Sequence, residues 1–275
     1  MQRLRRLSRR RSARSDEGAF VVDGPVLLGD ALDAGVVVDE VVATPACPQD
    51  LLDRAVAAGA VVHRARENDL ARVVDAVTPH GVAAVARFED RDPADLAATP
   101  RPLTLVLVGV SDPGNAGTLM RSAEAAGAGA VLFCDGSVDP YGPKCVRSSA
   151  GAVFRLEVSR GGDAGVAVGA LARAGVATVA TLARGAVPYD RTDLAGPVAI
   201  VLGSEAHGLS ASVAAAVDVA VTIPMQGRAE SLNVAMAGTI LCFEALRQRR
   251  ARGAAHGQGN QLDETPPRAA GCTTT

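Results

Sequence analysis

Two α/β units in tandem are what the sequence predicts, the second built on a parallel sheet covered on both faces. Three observations carry this. Short Val-rich runs alternate with stretches of helical apolar period between residues 20 and 88. In the larger half, the strand candidates 105–110, 130–134, 177–182, 198–202 and 219–223 are mostly unbroken apolar runs, as in parallel strands buried on both sides. Between the halves, residues 89–102 are charged, Pro-bearing and without β-branched runs, which marks a linker.

Taken in order, Phe20, Val21 and Val22 read as a strand, and 26–34 as a helix stopped by Gly35. A second strand at 41–43 is closed by Pro45. Residues 49–58 form a helix with Leu51, Leu52, Ala55 and Val56 on one face, ended by Gly59. Strand 61–62, a capped helix 68–77 and strand 82–86 complete a unit near the minimum size for an independent core. In the second unit, helices at 117–126, 166–174 and 232–247 lie between or after the strands. The expected boundaries are a flexible basic arm at 1–18, a small domain at 19–88, the linker, a large domain at 103–248 and a disordered tail at 249–275.

Composition narrows the function classes. Of 275 residues, 48% are hydrophobic and 21% charged, which is ordinary for a globular chain. Aromatics make up 3%, so the core must be aliphatic; Phe20, Phe88, Phe133, Phe154 and Phe243 all read as core. No apolar run reaches the roughly 18 residues that span a bilayer; the nearest, 21–42, is broken by five acids, so no membrane role is expected. The net charge of −2 hides a polarity: residues 1–14 hold seven arginines and no acid, the segment after 246 is weakly basic, and the body is acidic. A basic arm is an electrostatic handle for a polyanion, although a solvated terminus has the same composition. The five cysteines form no C-x-x-C pair and no His stands at ligand spacing, so no metal site is expected. An odd cysteine count without a signal peptide suits the cytoplasm.

Three segments stand at carboxyl ends of predicted buried strands, where open α/β sheets bind ligands. After strand 105–110, a Pro-Gly turn leads into a helix opening at Asn115 or Gly117, whose amides favour an anion, with Arg121 one turn on. An Asn cap and a surface Arg would look the same. The spacing of Gly109, Gly114 and Gly117 fits neither the dinucleotide fingerprint nor the P-loop. After strand 198–202 come Gly203, which admits close approach to backbone, and Glu205, a charge at the edge of an apolar sheet. His207 in the same loop reads as exposed. After strand 219–223, Pro224 ends the strand; Ser231 reads as an N-cap, with Asn233 in the first turn that follows.

Asn115, Gly117, Thr118 and Arg121, then Gly203, Glu205, Gly208, Leu209 and Ser210, then Ile223, Pro224 and Met225 with Glu230 to Val234, resemble the three ordered motifs of the SpoU-like branch of the SPOUT RNA methyltransferases. The likeness covers 103 to about 246. Residues 144–154 are similar to the stretch the family carries between its first two motifs, and the first unit resembles the ribosomal-protein-like domain that precedes the catalytic one. The resemblance implies an α/β SPOUT domain with a deep trefoil knot, an RNA-binding domain at 19–88 and a homodimer held partly by the last helix. It implies S-adenosylmethionine as cofactor, bound at Leu182, Gly203, Glu205, Gly208, Ile223, Met225, Ser231 and Leu232. The implied reaction is methyl transfer to a ribose 2′-hydroxyl of RNA, ribosomal RNA before transfer RNA. The implied catalytic set is Asn115, Arg121, Glu205, Ser231 and Asn233. In it Arg121 would activate the hydroxyl as a base or stabilise its alkoxide, and Glu205 would orient Arg121 or anchor the cofactor loop. Lys144, Arg147 and Arg155 would add a basic patch.

Two readings from other classes compete. A catalytically silent RNA-binding or ribosome-assembly factor on the same fold would have no need of all five polar residues. A nicotinamide-dependent oxidoreductase would use Asp135 after the second strand of the large unit, but lacks the glycine fingerprint.

Overall fold

The computed structural model describes residues 1–74, 81–89, 91–182 and 186–256. The first unit runs α1 (Gln2–Arg9), α2 (Arg11–Glu17), β1 (Ala19–Asp23), α3 (Pro25–Asp33), β2 (Val38–Ala43), α4 (Gln49–Ala57), β3 (Val61–Arg64), α5 (Glu67–Val74) and β4 (Val82–Arg87). Its sheet has the order β1-β4-β2-β3, with β4 antiparallel to both neighbours and β2 parallel to β3. After α6 (Pro93–Ala98), the second unit runs β5 (Leu103–Leu107), α7 (Pro113–Ala125), β6 (Ala130–Phe133), α8 (Pro143–Ser148), β7 (Glu157–Arg160), α9 (Ala164–Arg173), β8 (Ala177–Thr181), β9 (Val187–Pro188), β10 (Val198–Leu202), α10 (Ala211–Ala216), β11 (Val219–Thr222) and α11 (Val234–His256).

The second sheet has the order β7-β6-β5-β10-β8-β11-β9, and its strand pairs are parallel. The chain steps outward from β5 to β7, crosses to β8, and returns to seat β10 between β5 and β8. That reversal is where an open α/β sheet leaves a ligand crevice. Strand alternation sorts the core. Leu105, Leu107, Ile200 and Leu202 face one layer with α7, α8 and α11; Val106, Leu132, Ala199 and Val201 face the other with α6, α9 and α10. Every residue of β5, β6 and β10 is buried, as their unbroken apolar runs require. Among the described residues no helix is long and apolar enough to cross a membrane.

Several sequence expectations are corrected. The basic arm is folded: α1 and α2 hold Leu4 and Leu7 fully buried against Ala19, Val21, Val42, Leu70 and Val85. The reason lies in β1, which is buried on both faces and so needs a cover on each. Phe20 and Val22 take one side, Ala19 and Val21 the other, and α1 supplies the second cover. The two leucines, three apart, define a helical face that seven arginines hide in the composition. The linker is also partly folded, since Asp92 caps α6 and its Leu96 and Ala97 pack beneath α9. The last helix runs on to His256, beyond the expected tail start at 249. Residues 75–77 of the expected 68–77 helix, and 257–275 of the tail, lie outside the described residues. Strands β7 and β9 were not predicted, because Glu157, Ser159 and Arg160 break the apolar run in one and the other is two residues long.

Four of the seven aromatic side chains meet where the units join. Phe88 stacks on Tyr141 at 3.9 Å between centroids, Phe20 lies 5.1 Å from Tyr141, and Phe154 closes the group. Beside them Arg14, 5% exposed, donates to Asp139 at 2.7 Å, and the other Asp139 oxygen accepts the Tyr141 amide. One hydrophobic cluster therefore runs through both units. Phe243 departs from the expectation of a core residue: it is 45% exposed on α11.

Candidate functional site

Three loops meet at the carboxyl edge of the large sheet. The first follows β5, turns at Gly109 and enters α7 through Asp112, whose side chain accepts the Asn115 amide at 2.8 Å. Asp112, with Pro113 behind it, is thus the helix cap that the sequence had suggested for Asn115. Relieved of capping, the Asn115 side chain is free to bond elsewhere. It donates through Nδ2 to Glu205 at 2.9 Å and accepts through Oδ1 from Asn233 at 3.0 Å.

These orientations are forced. A carboxylate only accepts, so the Asn115 amide nitrogen must face Glu205 and its oxygen must take the Asn233 donor. The Asn233 oxygen then caps α11, accepting Ala235 N at 2.8 Å and Met236 N at 3.3 Å. Ser231 is therefore not the cap. Its hydroxyl bonds to no described residue. Glu205 also accepts Ser111 N at 3.2 Å and Asp112 N at 3.4 Å. Burial pushes its carboxyl up, but the donors from Asn115, its own backbone, Ser111 and Asp112 outweigh this and hold it below the usual carboxylate value. Glu205 is an ionised anchor between the ends of β5 and β10.

A cleft of about 440 Å³ opens beside this chain of contacts, at the ends of β8, β10 and β11. Leu182, Gly203, Glu205, Gly208, Ile223, Met225, Ser231 and Leu232 all line it, together with Asn233. Thr181, Ser204, Thr222, Glu230, Val234 and Ala237 also line it and were not among the predicted site residues. The first five flank predicted positions by one residue; Ala237 faces it one helical turn after Asn233. Gly203 is required by sterics, since a Cβ there would strike the backbone of Gly208 and Leu209. Ser204 and Gly208 close that loop with reciprocal backbone bonds of 3.1 and 2.9 Å, Gly208 taking φ +65°. His207 points to solvent, as expected.

Arg121 does not join the group. It stands on an exposed face of α7, outside the cleft, and makes no side-chain hydrogen bond or ion pair among the described residues. The expectation that Glu205 orients it is not met; the carboxylate is occupied by the first loop. The expected basic patch is partly neutralised: Lys144 faces Asp112 at 3.4 Å, Arg147 faces Asp23 at 3.6 Å and Arg155 donates to Glu124 at 2.9 Å. Burial pushes the Cys134, Cys145 and Cys242 thiols up to about 12, which leaves them without thiolate chemistry. No group of acids, His and Cys that could hold a metal occurs among the described residues.

Comparison with known proteins agrees with this architecture. The sequence model of the SpoU rRNA Methylase family matches residues 102–243, and that of the MRM3-like substrate binding domain matches residues 1–84. The 23S rRNA (guanosine(2553)-2′-O)-methyltransferase RlmP of Bacillus subtilis (strain 168) is 32% identical over 84% of this chain and 89% of its own. The crystal structure of an AdoMet-bound rRNA methyltransferase from Sinorhizobium meliloti superposes with a TM-score of 0.81 at 30% identity, covering 90% of this chain and 93% of that one. The SpoU methyltransferase AviRb from Streptomyces viridochromogenes, in complex with AdoMet, gives a TM-score of 0.82 at 28% identity over 91% of this chain and 97% of its own.

Proposed function

The chain belongs to the SpoU rRNA methylase family, and from that premise we propose that it transfers a methyl group from S-adenosylmethionine to a ribose 2′-hydroxyl of ribosomal RNA. The observation that carries the reading is the cleft itself, walled by residues at and after the ends of β8, β10 and β11 and braced to the first loop by the Glu205–Asn115–Asn233 chain. Its volume lies within the range of cofactor pockets. Its walls suit S-adenosylmethionine: apolar Leu182, Ile223, Met225 and Leu232 for the adenine faces, Met225 belonging to a segment, 224–229, whose peptide groups bond to no other described backbone. Bound there, the cofactor supplies an electrophilic methyl on a good leaving group.

The chain's own residues have the harder task of making a weak nucleophile attack. As the oxygen–methyl bond forms and the methyl–sulfur bond breaks, the hydroxyl proton must pass to solvent water. Arg121 stands outside the cleft on the exposed face of α7, so in this reading it meets the RNA rather than the donor and acts by charge, holding an RNA phosphate and stabilising the alkoxide that develops on the incoming ribose. Asn115 and Asn233 are positioning residues, since their amides are spent on each other and on Glu205. The Ser231 hydroxyl, which lines the cleft and bonds to no described residue, meets the ligand.

The same reading includes a homodimer, a trefoil knot between β10 and α11, and work in the cytoplasm. Met236, 56% exposed, and Phe243 lie seven apart on one stripe of α11, which supports a helix-borne interface. The return of β10 to the centre of the sheet, with α11 packed back on α7 through the 2.7 Å Thr239–Ser122 bond, supports the knot. Four buried free cysteines fit a reducing compartment.

The test is transfer of labelled methyl from S-adenosylmethionine to 23S rRNA from a strain lacking the gene. One ribose 2′-O-methyl in the nuclease digest is expected. Absence of label from both 23S and 16S rRNA, with label in transfer RNA instead, would move the substrate; absence from all three would overturn the reading.

A further inference from the structure

The fold divides the arginines of the first 14 residues into two groups. Arg3 bonds to Glu17, Asp39 and Glu40, Arg6 pairs with Glu17, and Arg14 is buried on Asp139. These three hold the helices in place. Arg5, Arg9 and Arg10 are exposed and make no side-chain bond among the described residues; Arg11, also exposed, touches only the Ser137 carbonyl at 3.5 Å. Four cationic charges therefore stand without a counter-charge on a short element. Arg5 and Arg9 lie four apart on one face of α1, where like charges repel.

Their position gives the cluster meaning. Arg10 is the extended residue between α1 and α2, so the cluster forms a corner. The Arg14–Asp139 pair and the Arg11–Ser137 contact fix that corner to the loop after β6. The Ser137 hydroxyl in turn accepts the Gly109 amide at 3.0 Å, at the start of the loop that ends at Asn115. The corner thus sits at the same carboxyl edge of the sheet as the cleft. Only β5 separates β6, whose loop anchors the corner, from β10, whose loop opens the cleft, and those two strands lie two spacings apart, roughly 10 Å.

We propose that Arg5, Arg9, Arg10 and Arg11 form a folded phosphate clamp that grips the RNA backbone a few nucleotides from the ribose being methylated. This rests on the RNA methyl transfer proposed above. The clamp contributes affinity and register and carries no base readout. It is pre-positioned on the catalytic edge, in contrast to a loose tail that would collect RNA anywhere on the surface.

The experiment measures binding and methylation of 23S rRNA from a gene-deleted strain across a salt series. It uses the full chain and variants in which all four arginines become Gln, or all four become Lys. The Gln variant is expected to raise the RNA KM roughly tenfold or more at moderate salt. It should reduce the slope of log affinity against log salt by about 3, with unchanged S-adenosylmethionine binding and unchanged rate at saturating RNA. The Lys variant should restore most of the slope, which a purely structural role would not require. Arg173→Gln, one charge at the opposite edge of the sheet, should leave the slope unchanged. A Gln variant with wild-type KM and slope would overturn the clamp. A wild-type protein that neither binds the donor nor methylates, yet loses salt-dependent RNA binding in the Gln variant, would overturn the proposed activity and leave the clamp standing.

Discussion

Asn115→Asp is the sharpest perturbation of the site, because it preserves shape and inverts one interaction. The Nδ2 donor 2.9 Å from Glu205 becomes a second carboxylate oxygen. Two like charges about 4 Å apart repel by about 1 kcal/mol in water and about 4 kcal/mol at an effective dielectric near 20. Glu205 is exposed, so the lower part of that range applies, about 1–2 kcal/mol. The lost charge-assisted hydrogen bond adds about 1 kcal/mol after screening. Together these give about 2–3 kcal/mol, or roughly 30- to 150-fold weaker donor binding if the braced loops are the binding form. The sign of the pH response is distinctive. In the wild type the Glu205 pKa is depressed, so the carboxylate stays ionised throughout pH 5.5 to 8 and its contribution is lost only as pH falls below the ordinary carboxylate value. In the variant one of two facing carboxylates has its pKa raised, so lowering the pH should restore affinity. Calorimetric titration of S-adenosylmethionine at pH 8 and 5.5 reads both effects. Wild-type affinity in the variant at pH 8, or a deficit that does not narrow on acidification, refutes the reasoning.

Further outcomes follow from the same geometry. Gly203→Ala should abolish donor binding while the thermal transition moves by only a few degrees, since the clash is confined to the 203–209 loop; wild-type binding by isothermal titration would contradict it. Asp139→Ala leaves Arg14 buried without a partner and should destabilise the protein by about 3–5 kcal/mol, a fall of roughly 10 °C in Tm by scanning calorimetry; a shift under 2 °C would show that the N-terminal helices are not docked. Arg121→Ala should lower kcat for RNA methylation by roughly 100-fold or more with donor affinity unchanged, read by single-turnover kinetics. Phe243→Glu should convert a dimer to monomer in sedimentation velocity; an unaltered coefficient would place the interface elsewhere.

The parts of this molecule that sequence made legible are those whose pattern has one physical cause. Unbroken apolar runs such as Val198–Leu202 have no use except in a strand covered on both faces, and Gly203 after such a run marks a place where backbone must pass backbone. Leu182, Gly203 and Ile223 in the cleft were legible because each directly follows a strand. What stayed hidden depended on competition between groups. Asp112 and Asn115 are both good caps, and only the proximity of Glu205 decides which is spared for the site. Asn233 and Ser231 pose the same choice. Leu4 and Leu7 are two apolar residues among many arginines, and their helix is specified by the second apolar face of β1, which it covers, rather than by their own stretch. Phe243 looked like core because a large aromatic normally is; nothing in its neighbours tells which face of α11 it takes.

The aromatic junction of Phe20, Phe88, Tyr141 and Phe154 has a consequence for how the target nucleotide is chosen. A module tethered by a slack connector would let the catalytic pocket sample many riboses around one docking point. Here the two halves share a single greasy hinge-pin, so the molecule behaves as a fixed calliper. Lengthening the RNA by one nucleotide between the docking element and the target should therefore shift the mark to the neighbouring ribose, because the span is kept by the protein.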